Sequence, residues 1–190
     1  MDYNYDNDFD AELEAFCDKK YSKYQNKITG IGRELMCGGK LEEKVCPNHE
    51  LITVKFNDKP IKNGEVIPLE YVKSKPEVSF KKLPDDLYTM IMVDPDVPSA
   101  TDPNKRYYLH WMKINMTDSD EIEFIKFSPS NPPKGSGFHR YYFKIYKQNK
   151  PLDQTKIFQY DNSNIQFKSE DFVRLGMELI GCTYYKSKKD

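Results

Sequence analysis

The hydrophobic pattern changes character at Leu51. From there Ile52, Val54 and Phe56 alternate with Leu51, Thr53 and Lys55, the period of two that marks a strand with one buried face. Asn57-Asp58-Lys59-Pro60 supplies the turn that ends it. Residues 66–69, 77–80 and 87–93 predict further strands, separated by Asn63-Gly64, by residues 74–76 and by Pro84-Asp85-Asp86. The stretch from Tyr88 onward is almost wholly apolar, so it is expected to be a central strand buried on both faces. Residues 109–116 and 140–146 are strand-like, and residues 172–180 fit a strand, a helix or both.

Before Leu51 the spacing of Ala11, Leu13, Ala15 and Phe16 predicts a short amphipathic helix capped by Asp10. Ile28, Ile31 and Leu35 extend or follow it as far as Gly38-Gly39. Residues 1–10 are expected to be a flexible acidic lead-in and residues 186–190 a polar tail. Residues 1–190 thus read as one mainly antiparallel β domain with peripheral helices and no internal repeat.

Composition narrows the function classes. The 29 basic residues nearly cancel the 30 acidic ones, which argues against a nucleic-acid partner because that footprint needs a basic excess. Only Arg33, Arg106, Arg140 and Arg174 are arginines, and arginine is the better bidentate partner for carboxylate and phosphate. The start MDYNYDNDFD lacks the basic and apolar regions of a signal peptide. Cys17, Cys37, Cys46 and Cys182 show no framework spacing, so free thiols in a reducing, cytoplasmic setting are expected.

Two segments concentrate the candidate chemistry. In Asp94-Pro95-Asp96-Val97-Pro98 the prolines fix the backbone where a core strand ends, which holds two carboxylates at the mouth of a sheet. In Pro132-Pro133-Lys134-Gly135-Ser136-Gly137 a stiff turn gives way to glycines whose amides can approach an anion, and the segment feeds His139-Arg140-Tyr141. Strand alternation puts His139 and Tyr141 on one face and Arg140 on the other. Taken singly, His110 and His139 fit core-edge histidines and the prolines fit turns. Two of only three histidines falling in or beside these segments favours a site.

The blocks DPDVPS, RYYLHWMKINM and PPKGSGFHRYYFKIY, preceded by GEVIPLEYVKSKPEVSF, resemble the phosphatidylethanolamine-binding protein family, which includes the Raf kinase inhibitor proteins. The resemblance covers residues 51–147 well and runs more loosely to Cys182. It implies a large antiparallel sheet packed with a smaller sheet, flanking helices and an anion pocket at one end. It further implies that Asp94, Val97, Pro98, His110, Pro133, His139 and Tyr141 surround a phosphoryl head group or a small anion. On the residues' own chemistry the loop amide at Gly135 and the rim positions Tyr108 and Asn131 join this ligand-binding set, and Asp96 with Arg140 is expected as a supporting pair behind it. The resemblance also implies a cis Val97-Pro98 bond. Tyr108 stands where many relatives have tryptophan and Asn131 where a glycine often precedes the double proline, and both changes are expected to alter the pocket rim.

The residues support an anion site on their own terms. The histidines and Tyr141 can donate to anionic oxygens, and Asp94 is expected to orient an imidazole and favour its protonated form. The expected partners are a phospholipid head group or small anion, a protein kinase or other signalling protein, and a peripheral membrane contact through Lys186, Lys188 and Lys189. No cofactor or metal is expected. Rival readings are a metal triad of Asp94, His110 and His139, a hydrolase built on His and Asp with Ser99 or Ser136, and a metal set of Cys37, Cys46 and His49. No Gly-x-Ser-x-Gly or His-Glu-x-x-His motif accompanies them, and catalysis is not expected.

Overall fold

The computed structural model describes residues 48–157, 167 and 176–190. The chain divides after Cys46, and the described residues all belong to the second unit, Pro47–Asp190. The expected helix at residues 10–16, its continuation to Gly39 and the acidic lead-in lie outside them.

Among the described residues, nine strands form two sheets. Strands β1 (Ile52–Phe56), β2 (Lys59–Pro60) and β4 (Glu77–Phe80) make an antiparallel sheet of order β2-β1-β4. Strands β3 (Glu65–Val66), β5 (Leu87–Asp94), β6 (Tyr108–Met116), β7 (Ile122–Ile125), β8 (His139–Gln148) and β9 (Glu178–Ser187) make the larger one, of order β3-β9-β8-β5-β6-β7. It is antiparallel except for the short β3–β9 pair. A 3-10 turn at Leu69–Val72 buries Val72 in the core, and a short helix α1 spans Gln154–Ile157.

The main core lies between the sheets. Ile52, Val54 and Phe56 of β1 cluster with Met90 and Met92 of β5, Trp111 of β6, Tyr141, Phe143 and Ile145 of β8 and Tyr185 of β9. The opposite face of β5 is buried as well, with Ile91 and Val93 fully covered, as its unbroken apolar run predicts. Gly181 permits close approach beside β1, since a Cβ there would meet Ile52 Cδ1 at 3.2 Å and the Asn48 carbonyl at 3.3 Å.

Several expectations change. The expected strand at residues 66–69 is shorter, giving way to the Leu69–Val72 turn. Strand β9 runs through Tyr184 and Tyr185 to Ser187, so the polar tail begins later than expected and Lys186 pairs with both Arg140 and Val66. Cys182 is disulfide-bonded, which overturns its reading as a free thiol; absence of framework spacing says little about a bond between cysteines distant in sequence. Cys17, Cys37 and Cys46 lie outside the described residues.

Candidate functional site

The site forms where β5, β6 and β8 end together. Residues Met90 and Met92 of β5 face the core, and Asp94 continues that face at the strand terminus, where it is 2% exposed. Across the sheet, His139 and Tyr141 occupy the matching face of β8 and both are fully buried. Arg140 points the other way, as strand alternation predicts.

His110 reaches the site through a break in register. Met92 pairs with Trp111 and Val93 with Leu109, which leaves His110 as an extra residue on β6. Such a bulge turns a side chain that would otherwise follow strict alternation. The Ser128 segment then clamps His110: the Ser128 amide donates to its carbonyl at 2.8 Å, and the imidazole Nδ1–H donates to the Ser128 carbonyl at 2.9 Å. The ring meets Tyr141 edge-on at 5.3 Å and Tyr108 at 4.7 Å.

Asp94 holds His139. Its Oδ2 lies 2.7 Å from His139 Nδ1, and its Oδ1 accepts from the Asp96 amide at 2.8 Å. On the far side of the ring, Ser136 Oγ lies 2.9 Å from Nε2 and donates to the Pro133 carbonyl at 2.7 Å. A serine hydroxyl has one proton, and here it goes to Pro133; Nε2 must therefore supply the hydrogen in the Ser136–His139 contact. With Nδ1 donating to Asp94, this assignment of hydrogens puts a proton on both ring nitrogens and makes His139 an imidazolium.

The electrostatics agree. Burial pushes the His139 pKa down, but the bond to Asp94 and the charges of Asp94 and Asp96 outweigh it, with a further bond to the Pro98 backbone, and raise it above the ordinary value. Burial pushes the Asp94 carboxyl up against the pull of His139; hydrogen bonds to both of its oxygens favour the carboxylate. His110 behaves oppositely: burial, helped by the charge of His139, pushes it down to about 4 despite the Ser128 bond. It is neutral at physiological pH, and with Nδ1–H committed to Ser128 its Nε2 is an acceptor.

A second carboxylate is locked behind the first. Asp96 Oδ2 accepts from the Arg140 amide and Nε, both at 2.9 Å, and Oδ1 accepts from Nη2 at 2.6 Å. Burial opposes its ionisation, yet the charge and hydrogen bonds of Arg140, with the charge of Arg106, lower its pKa. Arg106 Nε also donates to the Pro95 carbonyl at 2.8 Å. The Val97-Pro98 bond is cis, as expected, and Arg106-Tyr107 is cis as well.

Two hydroxyls on the same face lack partners. Tyr141 Oη and Ser187 Oγ are buried without a hydrogen bond of good geometry, although Ser130 lies near the former. Ser187 pairs directly with His139, so both side chains project to one face. Burial, with the nearby charge of Asp94, raises the Tyr141 pKa far above its usual value, keeping its hydroxyl a donor. Tyr185 stacks on Tyr141 at 5.1 Å and shares a 2.5 Å hydrogen bond with Ser130. Ser187, Tyr185 and Ser130 are the contributors that motif reading missed; their only signal was polar character on strands and turns converging here, whereas Arg106 was marked by the scarcity of arginine.

Other expected residues sit differently. Pro133 contributes its carbonyl, and Val97 and Pro98 are half-buried beside the site. The Gly135 amide donates to the Lys189 carbonyl at 3.2 Å, so it is occupied and does not offer itself to an anion. Asn131 is exposed and accepts from Lys189 Nζ at 3.4 Å. The tail lysines are also engaged: Lys188 pairs with Asp190 at 2.6 Å and lies 5.5 Å over the exposed Phe138 ring.

The arrangement bears on the rival chemistries. Asp94, His139 and Ser136 have the connectivity of a hydrolytic triad, but the serine proton points to Pro133 and the histidine already carries two protons, so it cannot serve as base in this state. Among the described residues no three His, Cys, Asp or Glu side chains are grouped to hold a metal. His49 of the third metal reading makes only an exposed contact with Glu50, and the cysteines beside it lie outside the described residues.

Residues 57–173 match the family model described as phosphatidylethanolamine-binding protein. A 26 kDa secreted antigen of Toxocara canis is 31% identical over 152 residues, covering 75% of this chain and 57% of its own. This chain therefore spans little more than half of that relative. A carboxypeptidase Y inhibitor, solved with its cognate proteinase, has the same fold with TM-score 0.64 and 23% identity over 73% of this chain and 83% of its own. A phosphatidylethanolamine-binding protein of Plasmodium vivax gives TM-score 0.60 and 20% identity over 73% and 85%. The cytoplasmic expectation is corrected by the first relative, whose name is that of a secreted protein, and the disulfide at Cys182 fits an oxidising compartment.

Proposed function

The chain belongs to the phosphatidylethanolamine-binding protein family, and from that premise we propose that it acts by binding, with the Asp94–His139 end of the large sheet taking up phosphorylated head groups or comparable small anions. The observation that carries this reading is the buried His139 ring, held by Asp94 at 2.7 Å on one nitrogen and met on the other by the Ser136 hydroxyl at 2.9 Å, with a further bond to the Pro98 backbone, an arrangement that fits an imidazolium. A cation fixed in a buried setting is a strong anchor for a phosphoryl oxygen. The unpartnered Tyr141 hydroxyl offers a neutral donor on the same face. Catalysis is not part of the proposal, because His139 holds the proton that a general base would need to accept.

Calorimetry with O-phosphorylethanolamine tests it. Saturable binding is expected for the natural chain, with affinity at least tenfold lower for Asp94→Asn, which loses the charge that keeps His139 protonated. A folded protein giving no saturable heat at millimolar ligand would sink the reading.

A second reading, control of a kinase, a protease or another protein partner through the rim, is favoured by Phe138, which is 42% exposed beside the site. Inhibition of a proteinase or kinase by the natural chain but not by Phe138→Ala would support it. Inhibition unaffected by that substitution would exclude Phe138 as the contact.

A further inference from the structure

Resting on the anion-site reading, we propose that His110 is a second anion contact loaded by proton uptake: a bound anion draws a proton from solution onto His110 Nε2, so the site holds its ligand more tightly as pH falls below neutral. The ring is fixed for this from one side. A carbonyl can only accept, so His110 Nδ1 carries the hydrogen in its 2.9 Å contact with the Ser128 carbonyl. The Ser128 amide donates to the His110 carbonyl at 2.8 Å and holds the two segments together. Nε2 of the neutral ring is then a bare acceptor, and among the described residues it makes no hydrogen bond. The ring touches Tyr108 at 4.7 Å and Tyr141 at 5.3 Å and feels the charge of His139, so it borders the same end of the sheet.

The other cationic groups of this end are already committed within the protein. His139 is bound through Nδ1 to Asp94 at 2.7 Å, meets Ser136 Oγ through Nε2 at 2.9 Å and has a further bond to the Pro98 backbone. Arg140 holds Asp96 through Nε at 2.9 Å and Nη2 at 2.6 Å. Arg106 Nε donates to the Pro95 carbonyl at 2.8 Å, and its charge acts on Asp96. An anion against His110 meets a lone pair on Nε2. Protonation there replaces a repulsion with a charge-assisted hydrogen bond and offsets the charge brought into a buried setting. His110 can gain this N–H without giving up a bond it already makes.

The groups facing the ring set the direction of the pH effect. On β8, His139 carries a charge that opposes a second one, and Tyr141 keeps its proton because burial raises its pKa. Tyr185 on β9 keeps its proton for the same reason, and Asp94 and Asp96 at the end of β5 act on His139. Without an anion, burial and His139 hold His110 down at about 4. A negative charge against Nε2 returns the ring to at least the ordinary value of about 6.5. The bound form then carries one more proton than the free form between these values, and linkage makes affinity rise as pH falls, by up to about tenfold per pH unit. His139 does not imitate this effect. Its raised pKa places its own loss of charge above 6.5, so it is already protonated where the His110 rise is steepest.

The experiment follows the histidine ring nitrogens by NMR while the full chain is titrated with dimethyl phosphate, a phosphodiester that stays singly charged from pH 5.5 to 7.5. At pH 6, saturation is expected to change the His110 Nε2 signal from unprotonated to protonated. Affinity should be about tenfold higher at pH 5.5 than at pH 7.5, with most of the gain below pH 6.5. His110→Asn keeps an N–H donor for the Ser128 carbonyl but cannot take up a proton, and it should lose this rise. An Nε2 that stays unprotonated in saturated protein at pH 6, an affinity that is flat from pH 6.5 to 5.5, or an equal rise in folded His110→Asn overturns the proposal and leaves the anion site standing. If that variant does not fold, the Nε2 signal of the natural chain decides alone. No binding of dimethyl phosphate by the folded natural chain at any of these pH values overturns the anion site and the proposal with it.

Discussion

Strand β6 breaks register with β5 twice, and the two breaks have opposite consequences. One extra residue sits between the Tyr88–Met116 and Met90–Lys113 pairs, where Asn115 takes a positive φ of 51°. The other places His110 at the candidate site. At the first, every polar group of a neutral network finds a partner. Gln148 Oε1 accepts from Thr89 Oγ1 at 2.8 Å and from the Asn115 amide at 3.0 Å, while its Nε2 donates to Asn115 Oδ1 at 2.8 Å and to the Lys150 carbonyl at 3.1 Å. Asn115 closes the network by donating to the Leu152 carbonyl at 3.0 Å and accepting its amide at 2.8 Å. At the second, the groups are charged and two hydroxyls have no partner. Both clusters lie at opposite ends of the same strands, β5 and β8. A bulge with a closed neutral network reads as structure, and a bulge with charge and spare hydrogen-bonding capacity reads as a site.

Substitutions can break this contrast. The largest effect is expected from Asp96→Ala, which removes a buried carboxylate and its three hydrogen bonds to Arg140 and should cost about 3–5 kcal/mol in denaturant unfolding. Gln148→Leu comes next, at about 2–3 kcal/mol, since it leaves several buried groups of the neutral network unpaired. It should change O-phosphorylethanolamine affinity less than twofold. A large loss of binding in a folded Gln148→Leu protein would show that the two ends are coupled.

Proton linkage sharpens the comparison, because only one of the two bulges titrates. His110 has a folded pKa lowered to about 4 from 6.5, so its neutral state contributes stability above pH 6.5 that is lost as pH falls through about 4. Between pH 7.5 and 5 the loss should be about 2 kcal/mol, and His110→Asn should remove that slope from the denaturation midpoints. His139 has the opposite sign: its raised pKa gives a contribution present in full below 6.5 and lost as pH rises through the folded value. The smallest effect is at Ser136, whose replacement by alanine should cost about 1 kcal/mol by removing its bonds to His139 and the Pro133 carbonyl. Its resting hydroxyl should also resist labelling by a fluorophosphonate, and rapid labelling would mean that the serine is activated after all.

The strands most legible in the sequence were those whose pattern matched their burial. Ile52 to Phe56 alternates, and the run to Val93 is apolar on both sides. Strand β7 was hidden because its Ile122-Glu123-Phe124-Ile125 run follows four successive polar residues, Asp118 to Glu121. Strand β9 was obscured differently: Gly181 and Cys182 interrupt its start, and the lysines after Tyr185 resemble a solvated tail. Pairing with β8 on one side and β3 on the other gives it an order that local propensity does not reveal.

The Asp94, His139 and Arg140 grouping was legible from the blocks that carry them. Three features were not. The bulge that aims His110 depends on register between β5 and β6, and the capture of the Gly135 amide by Lys189 depends on where the chain end lies. The charge state of His139 depends on which neighbour receives the single Ser136 proton. Each is a long-range or geometric fact that residue order leaves open.

The central claim is that His139 is a fixed imidazolium poised for an anion. Nitrogen-detected NMR of the histidine rings at pH 7 tests it most directly. Both His139 nitrogens should be protonated, His110 should be neutral with its proton on Nδ1, and O-phosphorylethanolamine at millimolar concentration should shift the His139 Nε2 signal. A neutral His139 at pH 7 with signals unmoved by the ligand, in a protein whose fold is intact, would contradict the account.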